Sequence, residues 1–169
     1  MPHFAQLPLG TRSLRRAVDR ALRRRRGFQI EPLEARQMLA ANPIITEFMA
    51  DNQNSIQDAA SPSAHSDWIE IQNAGDAAIN LAGWHLTDNA DDLSLWTFPS
   101  RTLAPGEFLV VFASGNDLPD TAGNLHTNFS LNGGGEYLAL VRPDLSIASE
   151  FGEDGEDYPQ QYADIAYGI

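Results

Sequence analysis

The 169-residue chain contains no cysteine and no lysine. Without cysteine there is no disulfide framework, no thiolate zinc site and no cysteine nucleophile. A domain built from this sequence must therefore hold itself together by packing alone. No apolar run approaches the roughly 20 residues needed to span a bilayer; the longest are short stretches such as Phe108 to Ala113. A conventional secretory signal is also missing, because no h-region of about 7–15 apolar residues follows the basic N-terminus. Positive charge is scarce over most of the chain. Only Arg101 and Arg142 of the eleven arginines follow Asn42, and twenty Asp and Glu residues stand against them there. A body so acidic repels phosphate backbones and anionic lipid.

What is present divides the chain in two. The length suits one ordinary domain plus an appendage. With 43% hydrophobic and 20% charged residues the sequence has enough apolar material for a core, which excludes a wholly disordered chain. The other nine arginines (Arg12, Arg15, Arg16, Arg20, Arg23, Arg24, Arg25, Arg26 and Arg36) precede Asn42, where only Asp19, Glu31 and Glu34 oppose them. A block of like charge at one end marks a tail or a targeting segment.

Within that head, Leu14, Ala17, Val18, Ala21 and Leu22 recur at the spacing of one helix face, and arginines cover the rest. Gly27 supplies a stop, and Arg23 to Arg26 sit where a helix dipole favours cations. The pattern predicts a short basic amphipathic helix, suited to an anionic membrane surface or to nucleic acid. After it, Leu33, Glu34, Arg36 and Leu39 resemble the L-E-P-R-x-L-L motif that opens many large bacterial surface proteins; Ala35 replaces the proline and Met38 a leucine. This resemblance implies export or surface sorting, with Ala40-Ala41-Asn42 as a processing point. The alternative reading of the head is a solvated basic tail.

From residue 43 onward the sequence reads as strands and turns. Residues 44–49 are apolar and β-branched, 68–73 alternate apolar and polar, Ile79 and Leu81 form a short strand, and 84–88 alternate again. Residues 51–66 form a polar loop, and 88–92 a turn by composition. Residues 95–98 return as a strand that Pro99 ends. Pro105-Gly106 turns the chain into 107–113, apolar on both faces and therefore expected to be a central, doubly covered strand. Residues 114–128 read as loop. Phe129-Ser130-Leu131 and residues 136–142, joined by Asn132-Gly133-Gly134-Gly135, read as a hairpin, because glycine supplies the positive φ such loops require. Residues 147–151 are expected to be the last clear strand. Short strands at intervals of about ten residues predict an all-β, immunoglobulin-like sandwich, with the basic helix outside it.

Five segments carry a family likeness in order: Ile44-Ile45-Thr46-Glu47-Phe48-Met49-Ala50; Asp67-Trp68-Ile69-Glu70-Ile71-Gln72-Asn73; Asn80-Leu81-Ala82-Gly83-Trp84-His85-Leu86-Thr87-Asp88; Leu103-Ala104-Pro105-Gly106-Glu107; and Phe129-Ser130-Leu131 with Gly135-Glu136-Tyr137-Leu138-Ala139-Leu140. Residues 43–169 thereby resemble the lamin-tail domain. The resemblance implies an immunoglobulin-like sandwich used as an interaction module, in nuclear lamins and, in bacteria, within large secreted or surface proteins. The domain division expected is 1–42 as an export or sorting segment and 43–169 as the sandwich. The family often supplies a further segment after a tyrosine-glycine pair such as Tyr167-Gly168, so the sandwich is expected to lack its last segment and to leave a sheet edge unpaired.

The search for chemistry is largely negative. His65, His85 and His126 form no H-x-H or H-E-x-x-H pair, and surface loops are their expected place. Asp88, Asp91 and Asp92, and separately Glu153, Asp154, Glu156 and Asp157, are candidate calcium ligands without EF-hand spacing, and solvated acidic turns are the simpler reading. The glycine loop lacks the lysine of a phosphate loop, and Ser114 before Gly115 has no G-x-S-x-G frame. Trp68, Trp84 and Trp96 suit either a sugar-stacking platform or, more simply, the sandwich interior. No catalytic, metal-binding or cofactor-binding residue is assigned, and no cofactor is implied. The expectation is a non-catalytic extracellular or cell-surface module whose partner is a protein or a cell-envelope component, with specificity in loops 51–66 and 114–128. Nucleic acid is not expected to bind the mature domain. Two alternatives stand beside it: an accessory domain of a metal-dependent hydrolase, and nucleic-acid binding through the arginine helix.

Overall fold

The computed structural model describes residues 39–58, 65–117, 124–152 and 156–169. The chain divides into two compact units, Met1–Gln37 and Met38–Ile169, and every described residue falls in the second. The predicted arginine helix lies outside the described residues. Among those residues no helix is long and apolar enough to cross a membrane.

The second unit is all-β. Its strands are β1 (Pro43–Met49), β2 (Asp67–Asn73), β3 (Ile79–Asn80), β4 (His85–Thr87), β5 (Trp96–Thr97), β6 (Thr102–Leu103), β7 (Phe108–Ala113), β8 (Leu125–His126), β9 (Leu138–Val141), β10 (Ile147–Phe151) and β11 (Tyr167–Gly168). A five-stranded sheet of order β11-β1-β2-β7-β8 packs on a four-stranded sheet of order β10-β9-β4-β5, and β3 pairs with β6 apart from both. All pairings are antiparallel except β7 with β8.

Alternation along each strand explains the layering, since every second side chain faces the same way. Ile45 and Phe48 from β1, Ile69 and Ile71 from β2, and Leu109 and Val111 from β7 meet Leu86, Leu138, Leu140 and Phe151 of the opposite sheet in one buried core. A bulge between Ile45 and Glu47 keeps Phe48 on the inner side after an odd step in the register. The Phe48 ring packs against Phe151, Tyr158 and Tyr167 at centroid separations of 5.1, 4.5 and 5.7 Å. At the seam between the sheets the Ile45 N–H donates to Ser149 Oγ at 3.2 Å.

Four expectations need correction. Residues 129–131 form no strand, and β9 pairs with β4 and β10, so the glycine loop does not close a hairpin. Asn132-Gly133-Gly134-Gly135 is instead a turn tied by the Gly135 N–H to the Asn132 carbonyl, and Gly135 (φ +108°) lies against the Tyr158 backbone. Residues 114–128 are not all loop, because β8 lies within them. The strand at 107–113 is not covered throughout on both faces: Phe112 is buried on the outer side, but Phe108 is 52% exposed. Last, 147–151 is not the final strand. Tyr167–Gly168 adds to the β1 edge opposite Phe48 and Glu47.

Candidate functional site

The loops that follow β1 and β7 emerge at one end of the five-stranded sheet, because β1, β2, β7 and β8 are neighbours there. The row Met49, Trp68, Phe112 and His126 crosses these four strands in register. All four side chains are buried, although they lie on the sheet face opposite the main core. The His126 ring stacks on Phe112 with centroids 5.5 Å apart.

Beneath the two loops this row ends in a buried polar cluster. Asp58 Oδ2 lies 3.6 Å from His126 Nδ1, and both side chains have no solvent exposure. The Ser66 hydroxyl donates to Asp58 Oδ2 at 2.8 Å, and Ser114 Oγ lies 3.2 Å from His126 Nδ1. One histidine therefore joins the loop before β2 to the loop after β7. Serine, histidine and aspartate meet here, yet both oxygens approach the same ring nitrogen. A nucleophile-activating triad needs the serine on Nε2 and the carboxylate on Nδ1. His126 Nε2 is buried with no hydrogen-bond partner. The arrangement positions loops; it does not activate Ser114.

Further polar clamps shape the same end. The Asn52 amide donates to the carbonyls of Ile56 and Ser66, each at 2.8 Å, and its Oδ1 accepts from the Ser55 N–H. The Asp164 carboxylate accepts from the N–H groups of Gln53 and Asn54, tying the C-terminal turn to this loop. On the other loop, Asp117 accepts from the Trp96 indole at 3.2 Å, and its N–H donates to the Thr127 carbonyl. Asp67, which opens β2, accepts from the Asn52 N–H, while burial pushes its carboxyl up to about 6. The neighbouring Asp51 charge adds to that rise, and the backbone donors oppose it.

The other candidates are scattered. His85 Nδ1 meets Thr97 Oγ1 across the β4–β5 ladder at 2.9 Å, and His65 is not brought together with it and His126. Among the described residues no three metal-binding side chains form a group. At the 88–92 turn the Thr87 hydroxyl donates to the carbonyls of Asn89 and Asp92, and Asp92 Oδ1 accepts from the Ser94 N–H, so Thr87 and Asp92 serve turn geometry. Burial raises the Asp88 carboxyl. Glu153 and Asp154 lie outside the described residues, and Glu156 and Asp157 are exposed. All three tryptophans are buried: Trp84 and Trp96 in the main core, Trp68 in the outer row. They offer no sugar-stacking platform.

The surface-loop expectation for histidine fails at His126, which is buried, and the Asp58–His126 contact had no sequence signal. The two residues lie far apart in the chain, and β8 is too short to show alternation. A faint cue existed in Leu125-His126-Thr127, where an apolar residue and two polar ones of intermediate bulk sit side by side and all three are buried.

No curated protein matches the chain. Residues 37–155 match the family model of the Lamin Tail Domain, a span that includes β1 to β10 and both loops described above. With the sandwich and the five ordered motifs, that match establishes that the chain belongs to the lamin tail domain family.

Proposed function

We propose that the protein is an exported lamin-tail module, presented at the cell surface or outside the cell, that recognises a protein or cell-envelope partner through loops 51–66 and 114–128. The coarser statement, a non-catalytic immunoglobulin-like interaction or structural domain, follows from family membership. The single observation that carries the reading is the buried Asp58–His126 contact, which ties the described ends of two loops, at Asp58 and Ser114, to one sheet end without building reactive chemistry. Loops held by a rigid scaffold are where binding modules place their contacts.

In this reading the arginine-rich residues 1–42 serve export or sorting. Ala40 and Asn42 already belong to the folded body, because the Asp76 N–H donates to the Ala40 carbonyl and the Ala74 N–H to the Asn42 carbonyl. A processing point at 40–42 would cut into these bonds, which favours removal of the head ahead of Ala40. Mass spectrometry of the protein recovered from cell fractions tests the proposal. A mature N-terminus between residues 36 and 40 in envelope or medium is the expected result. An intact Arg12–Arg26 stretch in the cytoplasm would overturn it and bring forward nucleic-acid binding by the head.

A further inference from the structure

The outward side of β7 is apolar along its whole length: Phe108, Val110 and Phe112 share it at alternate positions. A sandwich strand commonly packs one face on the core and leaves a polar face to solvent, so an outward face of three apolar residues calls for a cover of its own. Here the cover is incomplete. Phe112 is buried beside Trp68 and Met49, Val110 is half-buried, and Phe108 is 52% exposed. The same row continues through Gln72 on β2 to Ile44 on β1, both half-buried. The next row carries Glu70 beside Val110, with Glu47 and Thr46 at the bulge; the Thr46 hydroxyl donates to Glu70 Oε1 at 2.7 Å.

This surface is negative as well as apolar. Glu47 and Glu70 lie on it, and β1, β2 and β7 contain no lysine or arginine. Both arginines of the acidic body lie elsewhere: Arg101 precedes β6, and Arg142 donates to the Ile147 carbonyl within its own turn. Exposed aromatic surface beside carboxylates that form no ion pair among the described residues is complementary to a segment that is apolar and cationic. Anionic lipid and nucleic acid are repelled by the same charge.

We propose that the outward face of β1, β2 and β7 docks a basic amphipathic polypeptide segment, seating apolar side chains on Phe108 and Val110 and arginine or lysine beside Glu70 and Glu47. The inference rests on the reading of the domain as an interaction module, but it uses a different surface. Phe108 lies at the far end of β7 from Ser114, about 20 Å along the strand. The docked segment completes the cover that β7's sequence anticipates.

The test is titration of the full chain with a synthetic ten-residue peptide of alternating leucine and arginine, beside a leucine-glutamate control, followed by calorimetry and by backbone NMR. The expected result is binding of the arginine peptide alone, with shifts at residues 108–110, 70–72 and 44–47. Phe108→Ser and Glu70→Gln each weaken it about tenfold, the scale of an interface anchor, whereas Asp91→Asn on a distant turn leaves it unchanged. Equal weakening by Asp91→Asn would reduce the effect to general charge attraction and overturn the site. Shifts confined to residues 52–58 and 114–117 would also overturn it, while leaving the loop-recognition reading standing. Phe108 is exposed, so Phe108→Ser retains the parent melting temperature, and unchanged affinity in that variant would equally sink the proposal.

Discussion

Asn73 shows how much a single buried amide can organise. Its Nδ2 donates to the carbonyls of Ala77, Leu103 and Ala104 at 2.8, 3.3 and 3.2 Å, and its Oδ1 accepts from the Asn42 and Gly75 N–H groups. The side chain is fully buried at the end of β2, where it fastens the approach to β1, the 74–77 bend and the end of β6. Replacement by alanine leaves several carbonyl and N–H groups without partners, at a cost of about 1–3 kcal/mol for each buried group that stays unsatisfied. Asn73→Ala is expected to lower stability by about 3 kcal/mol, read by urea denaturation. A loss under about 1 kcal/mol would mean that water replaces the amide.

Asp67 gives the domain a pH dependence with a defined sign. Its carboxyl is raised by burial from 3.8 to about 6, so the folded chain holds a proton that the unfolded chain releases. Its favourable contribution is complete below the unfolded value and is lost as pH rises through the folded one, so stability declines across roughly pH 4–6. Asp67→Asn removes the titration, while its Oδ1 can still accept from the Asn52 N–H. The variant's denaturation midpoint should fall less than the parent's between pH 4 and 6. At pH 7 it should exceed the parent's stability by about 1 kcal/mol, a figure already discounted for solvent screening.

Among the elements, β11 is the one most dependent on the absence of a side chain. A Cβ at Gly168 would collide with the Thr46 carbonyl oxygen and come within 2.7 Å of the Glu47 Cβ. Only glycine lets this two-residue strand approach β1 closely enough for the Ile169 N–H to donate to the Thr46 carbonyl. Gly168→Ala should detach β11 while leaving β2 to β10 folded. Hydrogen exchange would then show lost protection at Ile169 and little change at residues 69–71; unchanged protection at Ile169 would refute the steric account.

The same scale separates what the sequence reveals from what it hides. β1, β2, β9 and β10 are legible because their apolar residues alternate or run together over several positions, and Pro99 and Pro105-Gly106 mark turns through local chemistry. The hairpin drawn through the glycine loop fails for a different reason. Glycine permits a reversal of the chain but does not name the strand beyond it. The partners of β9 were settled by packing with β4 and β10, a choice made across tens of residues. β8 is invisible because two residues have no period, and its parallel pairing with β7 comes after residues 114–124, whose composition is that of a loop. Residues 51–58 and 114–117 were legible as loop. The Asp58–His126 contact beside them was not, since burial of a histidine is decided by neighbours distant in the chain, here Phe112 on the adjacent strand and Asp58.

For the whole molecule, the governing quantity is charge. The chain carries a formal charge of −12 even with its arginine-rich head included. Twenty carboxylates after Asn42 face two arginines, and self-repulsion of this kind opposes the compact state. Screening shortens the reach of that repulsion from about 30 Å at 0.01 M salt to about 10 Å at 0.1 M. The melting temperature of the protein should therefore climb by a few degrees as sodium chloride is raised over this range. A flat or falling curve would show that self-repulsion among these carboxylates does not limit the stability of the fold.

The pairing of β11 with β1 also imposes an order on biosynthesis. Phe48 leaves the ribosome long before Tyr167, its neighbour in the finished sheet. At about 5–20 residues per second the interval is roughly 6–24 s. Until Tyr167 and Gly168 are made, the β1 edge at Glu47 and Phe48 lacks the partner it has in the finished sheet. An open edge on a half-made sandwich is a template for any extended segment, so the last few residues to be synthesised are the ones that withdraw it.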